Sequence, residues 1–485
     1  MQDPARFPKR RPMESVSVVM RDGGSVELSG DSVQEFAAGL GGSLVTRSSA
    51  DYEEVRAVWN AMIETRPALI ARCADAADVQ RCVRFADAND LLFSIRGAGH
   101  NIAGSALVEG GLTIDLSGMR NVDVDTESLT AVIQPGATLG DVDAATLAHG
   151  LALPVGINST TGIAGLTLGG GFGWLSRKFG LTIDSLISAN VVTAGGKMIT
   201  ASETENADLF WGLRGGGGNF GVVTSFTFGL YPVGPDLLCG LVVHPFSAGP
   251  DALRYYREFT SNCPDELTLW MVLRDAPPLP FLPEEVHGTK VVVFAFVYAG
   301  DPAEGERLLE PLRSYGTAHG EHVGVMPFAE FQQAFDPLLT PGARNYWKSH
   351  NFNSIEDGLV TEILSAVETL PSPQSEIFIA QVGGAAARLP IDSTAYPHRD
   401  AAFVMNVHTR WEDASDDGKC IDWARGFFDA TSPFSTGGVY VNFVSDAADA
   451  ARVQAAYGSS YPRLQELKAK YDPDNVFRTN LNVRP

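Results

Sequence analysis

The sequence predicts an α+β protein of two domains, with a ligand site lined by glycine loops between them. Three observations lead there. The chain has 485 residues, too many for one ordinary core. Glycine clusters sit at 96–101 (RGAGHN), 156–180 (GINSTTGIAGLTLGGGFGWLSRKFG) and 214–223 (RGGGGNFGVV), all in one half of the chain. From about residue 236 onward, long strands follow one another without βαβ alternation, the pattern of an antiparallel sheet covered by helices.

Taken in order, residues 1–40 read as a frayed tail with a short hairpin. From 52 to 87 come a helix, the strand ALIARC and a second helix, whose Asp75 and Asp78 suit its positive N-terminus. LLFSI, LTIDL, NVDVDTESLTAVIQPG and LALPVG read as strands or strand ends, with the helix TLGDVDAATLAHG inserted. SANVVTAG and GVVTSFTFGLYPV, both β-type, close the glycine-dense block 160–235. Beyond it LCGLVVHPF, ELTLWMVLRD, TKVVVFAFVYAG, SEIFIAQVGG and AFVMNVHTRW read as strands, and DPAEGERLLEPLRSYG and SIEDGLVTEILSAVETL as helices. The end, YGSSYPRLQELKAKYDPDNVFRTNLNV, reads as a helix, a DPDN turn and an extended tail.

Composition narrows the class. Apolar residues make up 45% and charged residues 19%, with 50 glycines and 28 prolines, which is globular and rich in tight turns. A net charge of −22 argues against nucleic acid or an anionic membrane as partner. The five cysteines, Cys73, Cys82, Cys239, Cys263 and Cys420, lack metal-ligand spacing and read as reduced thiols. With no apolar run of signal or membrane-span length, a cytoplasmic protein is expected. HGEH (319–322) offers two histidines without a third ligand, so it reads as a solvated turn, and no metal is expected.

The glycine segments carry the chemistry. Gly216, Gly218 and Gly221 spell G-x-G-x-x-G, but the motif runs into the strand VVTSFTF instead of a helix, so a Rossmann unit is excluded. Neither a P-loop nor a G-x-S-x-G elbow is present. Glycines let backbone approach a ligand and expose runs of N–H groups, so several such loops together suit a diphosphate better than they suit mere bulges. RGAGHN adds a histidine, His100, in a small-residue turn between two strands.

RGAGHNIAGSALVEGGLTIDLSGM, STTGIAGLTLGGGFGWLSRKFGLTIDSL, ENADLFWGLRGGGGNFGVVTSF and YPRLQELKAKYDPDNVFRTNLN, in that order, resemble FAD-linked oxidases of the vanillyl-alcohol-oxidase superfamily, in their bacterial berberine-bridge-enzyme-like branch. The resemblance runs from about 50 to 483. It implies a PCMH-type FAD-binding domain at 41–235 plus 436–485, and a substrate-binding domain at 236–435. In that family the histidine of the R-G-x-G-H turn is bonded through its ring to the 8α-methyl of FAD, and His100 holds that place. By the same resemblance Arg96, Gly97, Ala98, Gly99, Asn101 and Gly104 meet the pyrophosphate and flavin. Ser159, Thr160, Thr161, Gly162, Gly165, Leu168, Gly173 and Trp174 line the dinucleotide. Gly218, Val222 and Val223 lie near the adenine, and Asn480 and Asn482 close over the flavin.

Departures from the family pattern are equally specific. Many relatives attach the flavin a second time through a cysteine. That position is Asn158, so one covalent bond through His100 and no cysteinyl link is expected. Asn158 also opens an NST sequon, which a cytoplasmic chain leaves unused. The catalytic tyrosine of plant members is replaced by Phe443, and their carboxylate position matches Met405. Catalytic candidates are then Glu376, Gln381, Tyr440 and Asn442, expected on strands facing the flavin. Thr161 falls where side-chain bulk governs access of O2 to the flavin edge.

Trp174, Trp270, Phe378 and Phe443 are expected to line an aromatic mouth. The implied function is an FAD-dependent oxidase, monomeric or homodimeric, acting on a hydrophobic or aromatic natural product. Its alcohol, amine or activated C–H would yield a hydride to flavin N5, and O2 would leave as H2O2. The alternatives are an oxygenase of secondary metabolism, a carbohydrate oxidase, or a flavin-carrying binding protein without turnover.

Overall fold

The computed structural model describes residues 14–445 and 450–485. Part of the expected N-terminal tail, residues 1–13, lies outside the described residues. The hairpin is Val16–Val19 against Ser25–Leu28, and a helix, Gly30–Ala38, follows it.

Two sheets are built from the part of the chain before residue 230. The first is ordered Ser43–Thr46, Leu69–Arg72, Leu112–Asp115, Phe93–Arg96, with the last three strands parallel. Parallel neighbours need a crossover, here the helix Ala76–Ala88. Asp75 caps that helix by accepting from Asp78 N. The Asp78 carboxylate in turn takes the N–H groups of Gly41, Gly42 and Ala74, tying helix to sheet. Val79, Cys82, Val83 and Ala86, at helical spacing, are buried. The second sheet is antiparallel, in the order Met198–Ser202, Leu186–Val192, Val222–Gly229, Thr130–Ile133, Val122–Asp125.

The rest of the chain forms one antiparallel sheet of seven strands, ordered Gly320–Pro327, Asp236–Pro245, Lys290–Tyr298, Leu267–Asp275, Glu376–Gln381, Phe403–Trp411, Arg344–Phe352. Its side chains alternate between two different surroundings. Leu269, Met271, Leu273, Ile377, Ile379, Met405 and Val407 pack with the helices Gly249–Thr260, Pro302–Arg313, Asp357–Glu368 and Asp417–Thr431 in one continuous core. Trp270, Val272, Arg274, Glu376, Phe378, Asn406 and His408 face the other way, onto a cavity.

Two strands depart from expectation, and they are the two edges of this sheet. HGEH is not a free turn: Glu321 and His322 lie in the edge strand Gly320–Pro327, paired with Val242 and Leu241. Edge strands need no apolar run, so composition conceals them.

Past residue 436 the chain returns to the first half. Leu464 and Leu467 of the helix Tyr461–Tyr471, with Tyr457 and Val483, join Phe210, Phe220 and Phe226 in one core. A buried ion pair locks the return: Lys468 Nζ donates to Asp472 Oδ2 at 2.6 Å, to Asn219 O at 2.8 Å and to Phe477 O at 2.7 Å. Among the described residues, no helix is long and apolar enough to cross a membrane.

Candidate active site

The strand Phe93–Arg96 ends in the turn 97–101, where Gly99 has φ +74° and a Cβ would lie 3.2 Å from both Val58 and Arg96 atoms. Glycine is therefore required there. The turn presents His100, whose ring stacks on Trp59 with centroids 4.3 Å apart. His100 Nε2 is buried without a hydrogen-bond partner among the described residues. Burial pushes the imidazole pKa down to about 3, so the ring is neutral and keeps a lone pair available.

Two more loops meet this turn. In the first, Thr160 donates from N and Oγ1 to Asn158 Oδ1, Ser159 N donates to Asp336, and Leu139 N donates to Thr161 O. A Cβ on Gly165, in the short helix behind it, would meet nothing within 4 Å. In the second, Gly217 has φ +71°, and a Cβ added to Gly218 would meet only Asn480 Nδ2, at 4.0 Å, among the described residues. Asn480 donates to Gly218 O, leaving its Oδ1 without a partner among the described residues. The three loops and the open face of the seven-stranded sheet enclose a cavity of about 390 Å³.

The sheet face carries a line of chemistry at right angles to its strands. Trp347, His408, Glu376 and Arg274 occupy directly opposed positions on four neighbouring strands. Directly opposed side chains are close enough to touch. His408 Nδ1 is 3.1 Å from Glu376 Oε1, Arg274 Nη1 donates to Glu376 Oε2 at 2.5 Å, and the Trp347 ring meets His408 edge-on at 4.5 Å. Burial would raise the Glu376 pKa, but Arg274 and His408 outweigh it and hold the carboxyl at about 2. Burial lowers the His408 pKa, and Glu376 opposes that shift. The next line is Ser349, Asn406, Phe378, Val272, Val293 and Val243, polar at one end and aliphatic at the other.

Of the residues singled out from the sequence, Gly97, Ala98, Gly99, His100, Asn101, Thr161, Gly162, Gly165, Leu168, Trp174, Gly218, Val222, Val223 and Asn480 line this cavity. So do Glu376, Tyr440, Asn442, Trp270, Phe378 and Phe443. Others do not. Gln381 lies five residues from Glu376 and therefore on the opposite face, where its amide bonds Leu269 N and Thr260 O. Met405 points into the helix layer for the same reason. The Arg96 guanidinium turns away to Val55 O and Asp115. Gly104 abuts Ile63, and Gly173 abuts Val155 O, where a Cβ would sit at 1.9 Å. Ser159, Thr160 and Asn482 are off the cavity wall.

Tyr440 and Asn442 reach the wall from a single 3₁₀ turn, Val441–Phe443, and not from a strand. The Tyr440 hydroxyl accepts from Gly171 N and Asn442 Nδ2, both at 3.0 Å, while burial raises its pKa to about 12. His408, Asn406, Arg274 and Trp347 were missed in the sequence reading, although N-x-H-x-R at 406–410 places three polar groups on one face of an apolar strand.

Residues 67–202 match the FAD binding domain family, and residues 439–484 the berberine and berberine-like family. An uncharacterized FAD-linked oxidoreductase of Bacillus subtilis is 32% identical over 92% of this chain and 97% of its own length. The chain belongs to the berberine-bridge-enzyme-like FAD-linked oxidoreductases. Another relative, the xylooligosaccharide oxidase of Thermothelomyces thermophilus, is 29% identical over 91% of this chain and 92% of its own. Among solved structures, 6-hydroxy-D-nicotine oxidase from Arthrobacter nicotinovorans superposes with a TM-score of 0.82 at 28% identity, covering 92% of this chain and 98% of that one.

The cavity of this FAD-linked oxidoreductase fits its cofactor on its own evidence. Bare backbone at Gly165 and Gly218 leaves room at the wall, and the orphaned His100 Nε2 and Asn480 Oδ1 await partners.

Proposed function

We propose that the protein is an oxidase whose FAD is bonded to His100 and whose substrate is a hydrophobic or aromatic small molecule. The observation that carries this reading is the cavity shared by the three glycine loops and the sheet, with His100 on its wall. Bound FAD would accept a hydride from an alcohol, amine or activated C–H and pass the electrons to O2, giving H2O2. The loops at 97–101, 161–168 and 217–223 would hold the dinucleotide, in a domain formed by 41–235 and 436–485, with 236–435 supplying the substrate wall. None of the five cysteines lines the cavity, which supports attachment through His100 alone.

Substrate class follows from what the wall offers. Val243, Val272, Val293 and Leu241 make its far side aliphatic. The indole N–H groups of Trp174, Trp270 and Trp347 are buried without partners among the described residues. Each orphaned donor costs about 1–3 kcal/mol unless a ligand oxygen accepts from it. A ring system bearing carbonyl or hydroxyl oxygens meets both demands. The xylooligosaccharide oxidase relative favours a sugar as the second reading, against which the aliphatic wall counts. The test is to denature the enzyme in acid and digest it. Yellow colour should remain on a single peptide containing His100; flavin released freely would refute the attachment.

A further inference from the structure

We infer that His408 is the proton acceptor of the reaction, with Glu376 and Arg274 as the residues that position it; the inference rests on the flavin reading above. His408 is 2% exposed, lines the cavity, and has one ring nitrogen engaged and the other free. Nδ1 faces Glu376 Oε1, which leaves Nε2 without a partner among the described residues. That arrangement fixes the tautomer: with Nδ1 as donor to the carboxylate, Nε2 presents a lone pair. The Trp347 ring edge holds the imidazole plane, and Arg274 holds the carboxylate from its other oxygen.

The competing groups are less fitted to the task. Glu376 has both oxygens committed, and Arg274 keeps it too weak a base. Tyr440 already accepts two hydrogen bonds and is held protonated by burial. Asn406 lies two residues along the same strand face, with neither side-chain polar atom partnered among the described residues. It is placed to hold a second polar atom of the same ligand.

The substrate O–H (or N–H) bond breaks and an Nε2–H bond forms, giving an imidazolium whose charge Glu376 compensates. Bound FAD would take the adjacent C–H hydrogen with its electron pair as hydride, so that an alcohol would become a carbonyl, or an amine an imine. The charged and titratable groups facing His408 are Glu376 on the adjacent strand, Arg274 one strand further, Arg410 on its own strand, and His100 from the turn 97–101. Arg410 and Arg274 both add to the lowering that burial imposes on the imidazole, and Glu376 opposes it through its hydrogen bond and its charge.

The test uses the holoenzyme and 4-nitrophenol, whose absorbance separates phenol from phenolate. Bound probe is titrated between about pH 5 and 9 in the wild type and in His408→Gln, Glu376→Gln and Tyr440→Phe. With His408 as acceptor, the bound phenol should ionise about one pH unit or more lower in wild type than in His408→Gln, with Glu376→Gln between them. Tyr440→Phe should leave the ionisation pH where it is. Equal values in wild type and His408→Gln, a shift caused by Tyr440→Phe instead, or no binding of the probe would each overturn the proposal. Should His408→Gln not accumulate as holoprotein, Glu376→Gln decides alone, because it keeps the imidazole and removes only its partner; no rise then refutes the assignment. Release of flavin by acid would sink the attachment at His100 while leaving this titration intact.

Discussion

Replacing Lys468 with methionine tests whether the returning tail clamps the third glycine loop. The ammonium is fully buried and donates to Asn219 O, Phe477 O and Asp472. Methionine keeps the apolar stem but strips away all three hydrogen bonds. Asp472 is then left buried with only the N–H groups of Val476 and Phe477. Breaking a buried ion pair by removing one partner costs about 3–5 kcal/mol. At roughly 2–4 °C per kcal/mol for a unit of about 150–250 residues, Tm should fall by about 6–20 °C.

Thermal denaturation of the holoprotein, followed by tryptophan fluorescence, reads that fall. Lys468→Met/Asp472→Asn should recover part of it, because no uncompensated charge remains inside. The effect should also reach the cofactor. Asn219 adjoins Gly217 and Gly218 on the cavity wall, so in a His100→Ala background Lys468→Met should speed flavin loss on dialysis. A Tm within a degree or two of wild type, or a double variant as unstable as the two single effects summed, would refute the reasoning.

Two further predictions concern oxygen and pH. Thr161 lines the cavity, so Thr161→Leu should slow reoxidation of the photoreduced enzyme by O2, whereas the nearly isosteric Thr161→Val should keep access; stopped-flow absorbance separates them. Asp143 is buried against Gln332, and burial raises its pKa to about 7, with Asp336 adding to the rise and the Gln332 hydrogen bond opposing it. Folded protein therefore binds more protons than unfolded protein between the carboxylate's usual range and about pH 7, and stability falls across that window by up to roughly 1.4 kcal/mol per pH unit. Asp143→Asn mimics the protonated form. Its Tm should exceed that of wild type by more at about pH 8 than at about pH 5, and equal differences would exclude the effect.

The glycine loops of the cavity were more legible in the sequence than its sheet face, and the reason is physical. Close backbone approach demands glycine, so RGAGHN and GGGGNFG announce themselves along the chain. The substrate wall is assembled across four strands that are remote in sequence, and no local motif spells it. Even so, alternation alone separates Glu376 from Gln381, and Asn406 and His408 from Met405 and Val407. The strand Arg344–Phe352 was hidden by its composition: Asn345, Ser349 and Asn351 are polar yet buried, because the strand borders the site instead of the helix layer alone. That the tail rejoins the first half of the chain was expected from the resemblance; that Lys468 and Asp472 lock it required the fold.

The alternation of the seven-stranded sheet has a consequence for how such a protein can change over generations. Phe403, Met405, Val407 and Trp411 of the strand Phe403–Trp411 feed the helix-backed core that keeps the chain folded, while Asn406 and His408 line the cavity. Stability and selectivity are thus carried by different residues of the same strand. Substitutions at Val272, Val293 or Val243 can reshape the chamber while the core behind them stays untouched, so new specificities are reachable by single steps. A one-residue insertion has the opposite character. It would exchange the two faces of a strand, turning His408 into the greasy interior and Val407 toward the cavity. Drift by replacement is permitted on this scaffold; drift by insertion is confined to the connections between strands.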